Sequence, residues 1–127
     1  MNEKKRTSYS IGIESERIAE KYLLEKDYEI IEKRFHASHF DIDIIAKSPD
    51  DYIVFVEVKS VSSKQFGEAQ YRITKNKMSN IIAAANSFLM NTSDRNSYRF
   101  DVIAIDMSKE PYSIEHLENA FSMEEDI

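Results

Sequence analysis

The chain contains no cysteine, which removes disulfide scaffolds, zinc ribbons and thiol nucleophiles from what its 127 residues could be. Glycine is nearly as scarce, at two residues, so neither a phosphate-cradling P-loop nor a dinucleotide fingerprint can be assembled. Long apolar runs are missing too: the longest, Tyr52 to Val56 and Ile81 to Ala85, span five residues, against the roughly 20 that a membrane-spanning helix requires. Lys4, Lys5 and Arg6 are followed by no apolar stretch, which argues against a secretory signal. The expectation is a cytoplasmic protein with no membrane partner. What is present is material for one core: hydrophobic residues are 42% and charged residues 31% of the chain, with seven Phe and seven Tyr. That balance and length fit a single folded domain over residues 1–127.

The net charge of −6 is confined to one end. Residues 110–127 hold Glu110, Glu115, Glu118, Glu124, Glu125 and Asp126 with no Lys or Arg, so residues 1–109 are balanced. Within that body, residues 61–80 carry Lys64, Arg72, Lys75 and Lys77 against Glu68, and residues 35–60 carry five acids against Lys47 and Lys59. A cation site beside a basic rim has this signature, and so does ordinary charge mixing.

Periodicity predicts a helix from Ser10 to Lys26, with Ile11, Ile18, Ala19, Tyr22 and Leu23 on one face and Glu14 and Glu16 near its start, where the macrodipole favours acids. Tyr28 to Phe35 reads as a strand. Phe40 to Ile44 alternates, with Phe40, Ile42 and Ile44 on one face and Asp41 and Asp43 on the other, and the strand is expected to continue to Ala46. Turn residues Ser48 to Asp51 join it to the β-rich run Tyr52 to Lys59, predicting a hairpin. After a loop containing Gly67, the spacing of Thr74, Met78, Ile81, Ile82, Ala85, Phe88 and Leu89 predicts a helix ending near Asn91, followed by strands Tyr98 to Met107 and Tyr112 to Leu117. The order αβββαββ implies an α/β domain with a mixed sheet flanked by helices.

Asp43 lies on one strand of the expected hairpin, and Glu57 and Lys59, two residues apart, share a face of the next. Two carboxylates and an ammonium can therefore converge. Mg²⁺ or Mn²⁺ accepts such oxygens, and a cation held there would polarise a phosphodiester while Lys59 offset the developing charge. The spacing fits the D-(x)n-E-x-K pattern of metal-dependent nucleases. The plainer alternative is an edge hairpin whose charges face water. Against it, Glu57 interrupts the apolar run Val54, Phe55, Val56 and Val58, where a buried charge needs a partner. Glu16, on the edge of the first helix's apolar stripe, is a candidate third carboxylate.

These residues belong to a longer pattern. Ser15-Glu16 to Ala19, FDIDIIA (Phe40 to Ala46), VFVEVKS (Val54 to Ser60), Phe66-Gly67, Lys77, RFDVIAI (Arg99 to Ile105) and IEHLENAF (Ile114 to Phe121) occur in an order that resembles the YraN-like family of small bacterial proteins. That family is similar to Holliday-junction resolvases and to the wider PD-(D/E)xK, or restriction-endonuclease-like, superfamily. The resemblance implies a single restriction-endonuclease-like domain and a metal-dependent DNA endonuclease, with branched DNA among its substrates and Mg²⁺ or Mn²⁺ as cofactor. It carries Asp43, Glu57 and Lys59 onto the superfamily's Asp, Glu and Lys, Glu16 onto the helix acid of resolvase-like members, and Lys77 onto a basic residue of the second helix. The family's usual Gly-Glu is replaced here by Phe40-Asp41, and an Arg that commonly follows the Lys by Ser60-Val61. Resolvase-like relatives imply a homodimer.

The expected nucleic-acid contacts are Lys64, Arg72, Lys75 and Lys77. The alternative function is a non-catalytic nucleic-acid-binding or protein-interaction module that keeps the nuclease fold, with the acidic segment 110–127 as its partner surface. His36, His39, Asp41 and Asp43 also suggest a transition-metal site, though without supporting spacing. Arg99 and Asp101 share a strand face and read as an ion pair.

Overall fold

Capping decides where the first element begins in the computed structural model, which describes residues 7–37, 39–67, 73–92 and 97–123. Helix α1 (Ser8–Glu25) starts two residues before the predicted Ser10, because Thr7 and Ser10 form a reciprocal capping box. Glu14 and Glu16 consequently sit in its second and third turns, and the first turn holds no acid. The macrodipole therefore does not account for either glutamate, contrary to the expectation. Ser15, Ala19 and Leu23, four apart, form its buried stripe.

Strands β1 (Glu29–Ala37), β2 (Phe40–Lys47) and β3 (Ile53–Ser60), helix α2 (Lys75–Met90), and strands β4 (Tyr98–Asp106) and β5 (Ser113–Phe121) follow. The sheet order is β1-β2-β3-β4-β5, with β3 and β4 parallel and every other pair antiparallel. Helix α2 is the crossover that parallel neighbours require. Because β3 is the middle strand, its charged residues do not belong to an edge hairpin.

Helix α1 covers one face, packing Ala19 and Leu23 on Ile44, Ala46, Val54, Val56, Ile103 and Ile105. Helix α2 covers the other, packing Ile81, Ile82, Ala84 and Ala85 on Ile42, Ile45, Ile53, Phe55, Phe100 and Phe121. With both faces covered, β3 and β4 are apolar runs rather than alternating ones. The result is the α/β class and αβββαββ order read from the sequence, a mixed sheet between helices consistent with a restriction-endonuclease-like fold.

Two strands depart from expectation. Phe40, Ile42 and Ile44 do not share a face: Phe40 and Ile42 pack on the α2 side and Ile44 on the α1 side, so the alternation changes phase at Asp43. Opposite that point Arg34 takes φ 51°, which breaks the regular pleat. Strand β5 runs four residues beyond Leu117. Glu118, Asn119 and Ala120 are exposed and carry no apolar signal, yet Phe121 is buried against Phe100 at a ring separation of 4.9 Å.

Candidate functional site

Strands β2 and β3 pair from Lys47–Ile53 to Ile44–Val56, and beyond those pairs Asp43 turns its carboxylate to β3. Its Oδ2 accepts the Val58 amide hydrogen at 2.7 Å. Glu57 stands beside it, and the two carboxyls hydrogen-bond to each other. Only 13% of the Glu57 side chain is exposed, and Lys77 of α2 places Nζ 3.7 Å from its Oε2. The Lys59 ammonium also acts on Glu57, as the shared strand face requires. Two carboxyls from β2 and β3 thus meet, with the Lys77 ammonium of α2 beside Glu57 and the charge of Lys59 acting on it from β3.

Burial pushes the Glu57 carboxyl up to about 8, and the Asp43 charge adds to the rise while Lys77 and Lys59 oppose it. Asp43 is also raised, first by burial and further by the charge of Glu16, with the Val58 amide, Glu57 and Lys77 pulling the other way. Neighbouring buried carboxyls cannot both ionise cheaply, so the pair titrates as a unit and retains a proton near neutrality. A divalent cation answers the same need as that proton. Mg²⁺ or Mn²⁺ takes one or two carboxylates and completes its shell with water, and Asp43 and Glu57 fit that donor set.

Glu16 faces the same region from α1, lining with Asp43 a cleft of about 350 Å³ that Ile13, Arg17, Glu20, Lys33, Arg34 and Ile44 complete. Its carboxylate is engaged by Arg34, whose Nε donates to Oε1 at 2.8 Å. Among the described residues no three His, Asp or Glu side chains are gathered closely enough to hold a metal. The structure thus brings Asp43, Glu57, Lys59 and Lys77 together and sets Glu16 beside them on an arginine.

Of the expected nucleic-acid contacts, Lys77 belongs to the carboxylate pair itself, Lys75 is exposed at the start of α2, and Lys64 is exposed in the loop after β3. Arg72 lies outside the described residues, as do Glu124, Glu125 and Asp126 of the acidic segment. His36 pairs with Asp41 across β1 and β2. Among the described residues no third ligand joins them into the transition-metal site considered from the sequence. Sequence reasoning missed Arg17, Lys33 and Arg34, because the cleft they line exists only once β1 is laid beside α1.

Arg99 and Asp101 form the expected ion pair on β4, where Asp101 stands opposite Val56, the residue before Glu57. Asp101 is fully buried in a break of the β4–β5 register, between Phe100–Phe121 and Val102–Leu117. It accepts from Arg99 Nε at 3.1 Å and from the Asn119 amide at 3.0 Å, and its Oδ2 lies 2.7 Å from His116 Nε2. Tyr22 meets the other imidazole nitrogen at 3.1 Å and Tyr28 accepts from Arg99 at 2.7 Å, which ties α1 and β5 to β4. Every partner of this aspartate is a group of the fold, and the cluster reads as a fastening.

Comparison with known proteins identifies the lineage of this arrangement. Residues 15–105, which include both carboxylates and both lysines, match the model of "Uncharacterised protein family UPF0102". The chain belongs to the UPF0102 family. This is the YraN-like family that its motifs resemble. A UPF0102 protein of Campylobacter fetus is 43% identical over 101 residues, 80% of this chain and 88% of that protein. UPF0102 proteins of Clostridium perfringens and Thermodesulfovibrio yellowstonii are 41% and 40% identical, covering 92% and 87% of this chain and 98% and 95% of their own lengths. No described helix is long and apolar enough to cross a membrane.

Proposed function

We propose that this UPF0102 protein is a metal-dependent endodeoxyribonuclease that hydrolyses phosphodiester bonds, acting on branched DNA among other forms. The observation that carries the reading is the buried Asp43–Glu57 pair on the central strands, flanked by Lys59 and Lys77. A fold that needed only stability would fill that place with apolar side chains, since two buried carboxyls cost more than they return. Mg²⁺ or Mn²⁺ bound by the pair would supply polarisation of the phosphodiester and acidification of a water. Lys59 offsets negative charge that grows on the phosphate in the transition state, and Lys77 neutralises Glu57 and faces the incoming backbone. Glu16 is the reserve carboxylate at the cleft.

The test is a cleavage assay with Mn²⁺ on end-labelled linear, nicked, flapped and four-way DNA, with Asp43→Ala and Glu57→Ala beside the parent. Cleavage by the parent alone, strongest on one geometry, is the expected result. Absence of cleavage on every substrate, or equal cleavage by the variants, overturns the proposal.

A further inference from the structure

Arg34 is built into the cleft in a way that a surface lysine or arginine is not. The register passes from Lys33–Ile44 to Phe35–Ile42, so Arg34 stands opposite Asp43, with φ 51° in the left-handed region that a side chain of this size disfavours. That conformation aims its side chain at α1 rather than along the sheet edge. There its guanidinium holds Glu16, the acid whose charge reaches Asp43, and Lys33 holds Glu20 at 3.3 Å beside it. Arg17 lines the same cleft. The Arg34 side chain is 54% exposed and that of Glu16 26%, so solvent competes for the pair and exchange is easy. A phosphodiester offers a guanidinium the same paired oxygens as a carboxylate does.

We infer that Arg34 is a two-position latch: it holds Glu16 in the protein alone and passes to a phosphate of the nucleic-acid backbone when a strand enters the α1–β1 cleft, freeing Glu16 for the cation at Asp43 and Glu57. The inference rests on the phosphodiesterase reading and adds to it the order of events and a path for one strand. Arg17 and Lys33 border that path. Because the release couples two binding equilibria, nucleic acid must tighten cation binding by the factor by which the cation tightens nucleic-acid binding. In this role Arg34 is a positioning residue.

The experiment measures calorimetric binding of Ca²⁺, which takes the same oxygen ligands without requiring turnover, in the absence and presence of a saturating duplex of about 20 base pairs, the length chosen to span the domain. The parent is expected to bind Ca²⁺ about 5-fold or more tightly with duplex present. Arg34→Asn removes the guanidinium and suits the left-handed backbone better, so the fold is not put at risk. It should bind Ca²⁺ more tightly than the parent when alone, lose the enhancement by duplex, and bind duplex with a salt slope smaller by about one. Glu16→Gln should lose the enhancement while keeping the duplex contact. If Arg34→Asn keeps the parent's Ca²⁺ affinity and the parent's enhancement, the latch is wrong. A parent that binds Ca²⁺ and duplex independently overturns the latch and spares the nuclease reading, whereas a parent that binds neither overturns both.

Discussion

Asp43 receives the amide hydrogen of Val58 at 2.7 Å, across the gap where β2 and β3 cease to pair. One carboxylate thus accepts a backbone hydrogen of the central strand and also hydrogen-bonds to Glu57. Fold and site compete for the same side chain.

That competition separates stability from function in Asp43→Asn. The amide oxygen still accepts from Val58, while the repulsion with Glu57 and the burial of a charge disappear. At pH 8 without divalent ions the variant should melt at or above the parent's temperature, yet bind no Mn²⁺ and cleave no DNA. A variant that melts lower would show that the carboxylate is structural, and one that still binds Mn²⁺ would remove Asp43 from the ligand set.

Glu57 makes stability pH-dependent in a direction unusual for an acid. Its folded carboxyl is raised from 4.5 to about 8, so the folded state keeps a proton that the unfolded state gives up. That contribution is complete below about 4.5 and is lost as the pH climbs towards 8. In chelator, the melting temperature should fall across this window by roughly 4 °C or more, the shift that about 1 kcal/mol produces in a domain of this size. Millimolar Mn²⁺ should restore it at the alkaline end by mass action on the folded state, and Glu57→Gln should flatten the profile and abolish the restoration. A parent that is as stable at pH 8 as at pH 5, with no response to Mn²⁺, would contradict the buried pair.

The elements were legible because their signals are local. Alternation marked β2, apolar runs marked β3 and β4, and the four-residue spacing in α2 marked its buried face. Asp43, Glu57 and Lys59 were legible as candidates because a charge inside an apolar run is anomalous. Lys77 was visible only as a basic residue, since its place beside Glu57 depends on how α2 crosses the sheet. The phase change at Asp43 and the extension of β5 were hidden for the same reason. The first turns on a positive φ at Arg34, inside a run that the sequence predicts as extended, and the second passes through a positive φ at Asn119, beyond the predicted strand end at Leu117.

The Asp101 cluster should behave oppositely to the Asp43 pair. Asp101→Ala leaves Arg99, His116 and the Asn119 amide without their shared acceptor in a buried place, at a cost of about 3 kcal/mol or more. A fall in melting temperature of roughly 10 °C is expected. Below that transition Mn²⁺ affinity should match the parent's, because the groups that hold Asp101, namely Arg99, His116 and the Asn119 amide, are different from the Val58 amide and Lys77 that hold Asp43 and Glu57. Mild destabilisation with lost Mn²⁺ binding would instead tie the two clusters together.

Lys59 is the residue whose charge serves chemistry more than folding or cation capture. Lys59→Met keeps most of the apolar stem, so packing at the end of β3 should survive with little change in melting temperature. Loss of the ammonium leaves Glu57 less neutralised and, if anything, a stronger ligand once its proton is displaced. Metal and DNA binding should therefore persist in calorimetry, while the cleavage rate falls by a factor on the order of 10² or more, since charge developing on the phosphate loses its partner. Normal cleavage would reduce Lys59 to a strand-end lysine, and loss of Mn²⁺ binding or of folding would make its role structural. Only the split between intact binding and lost rate assigns it to the transition state.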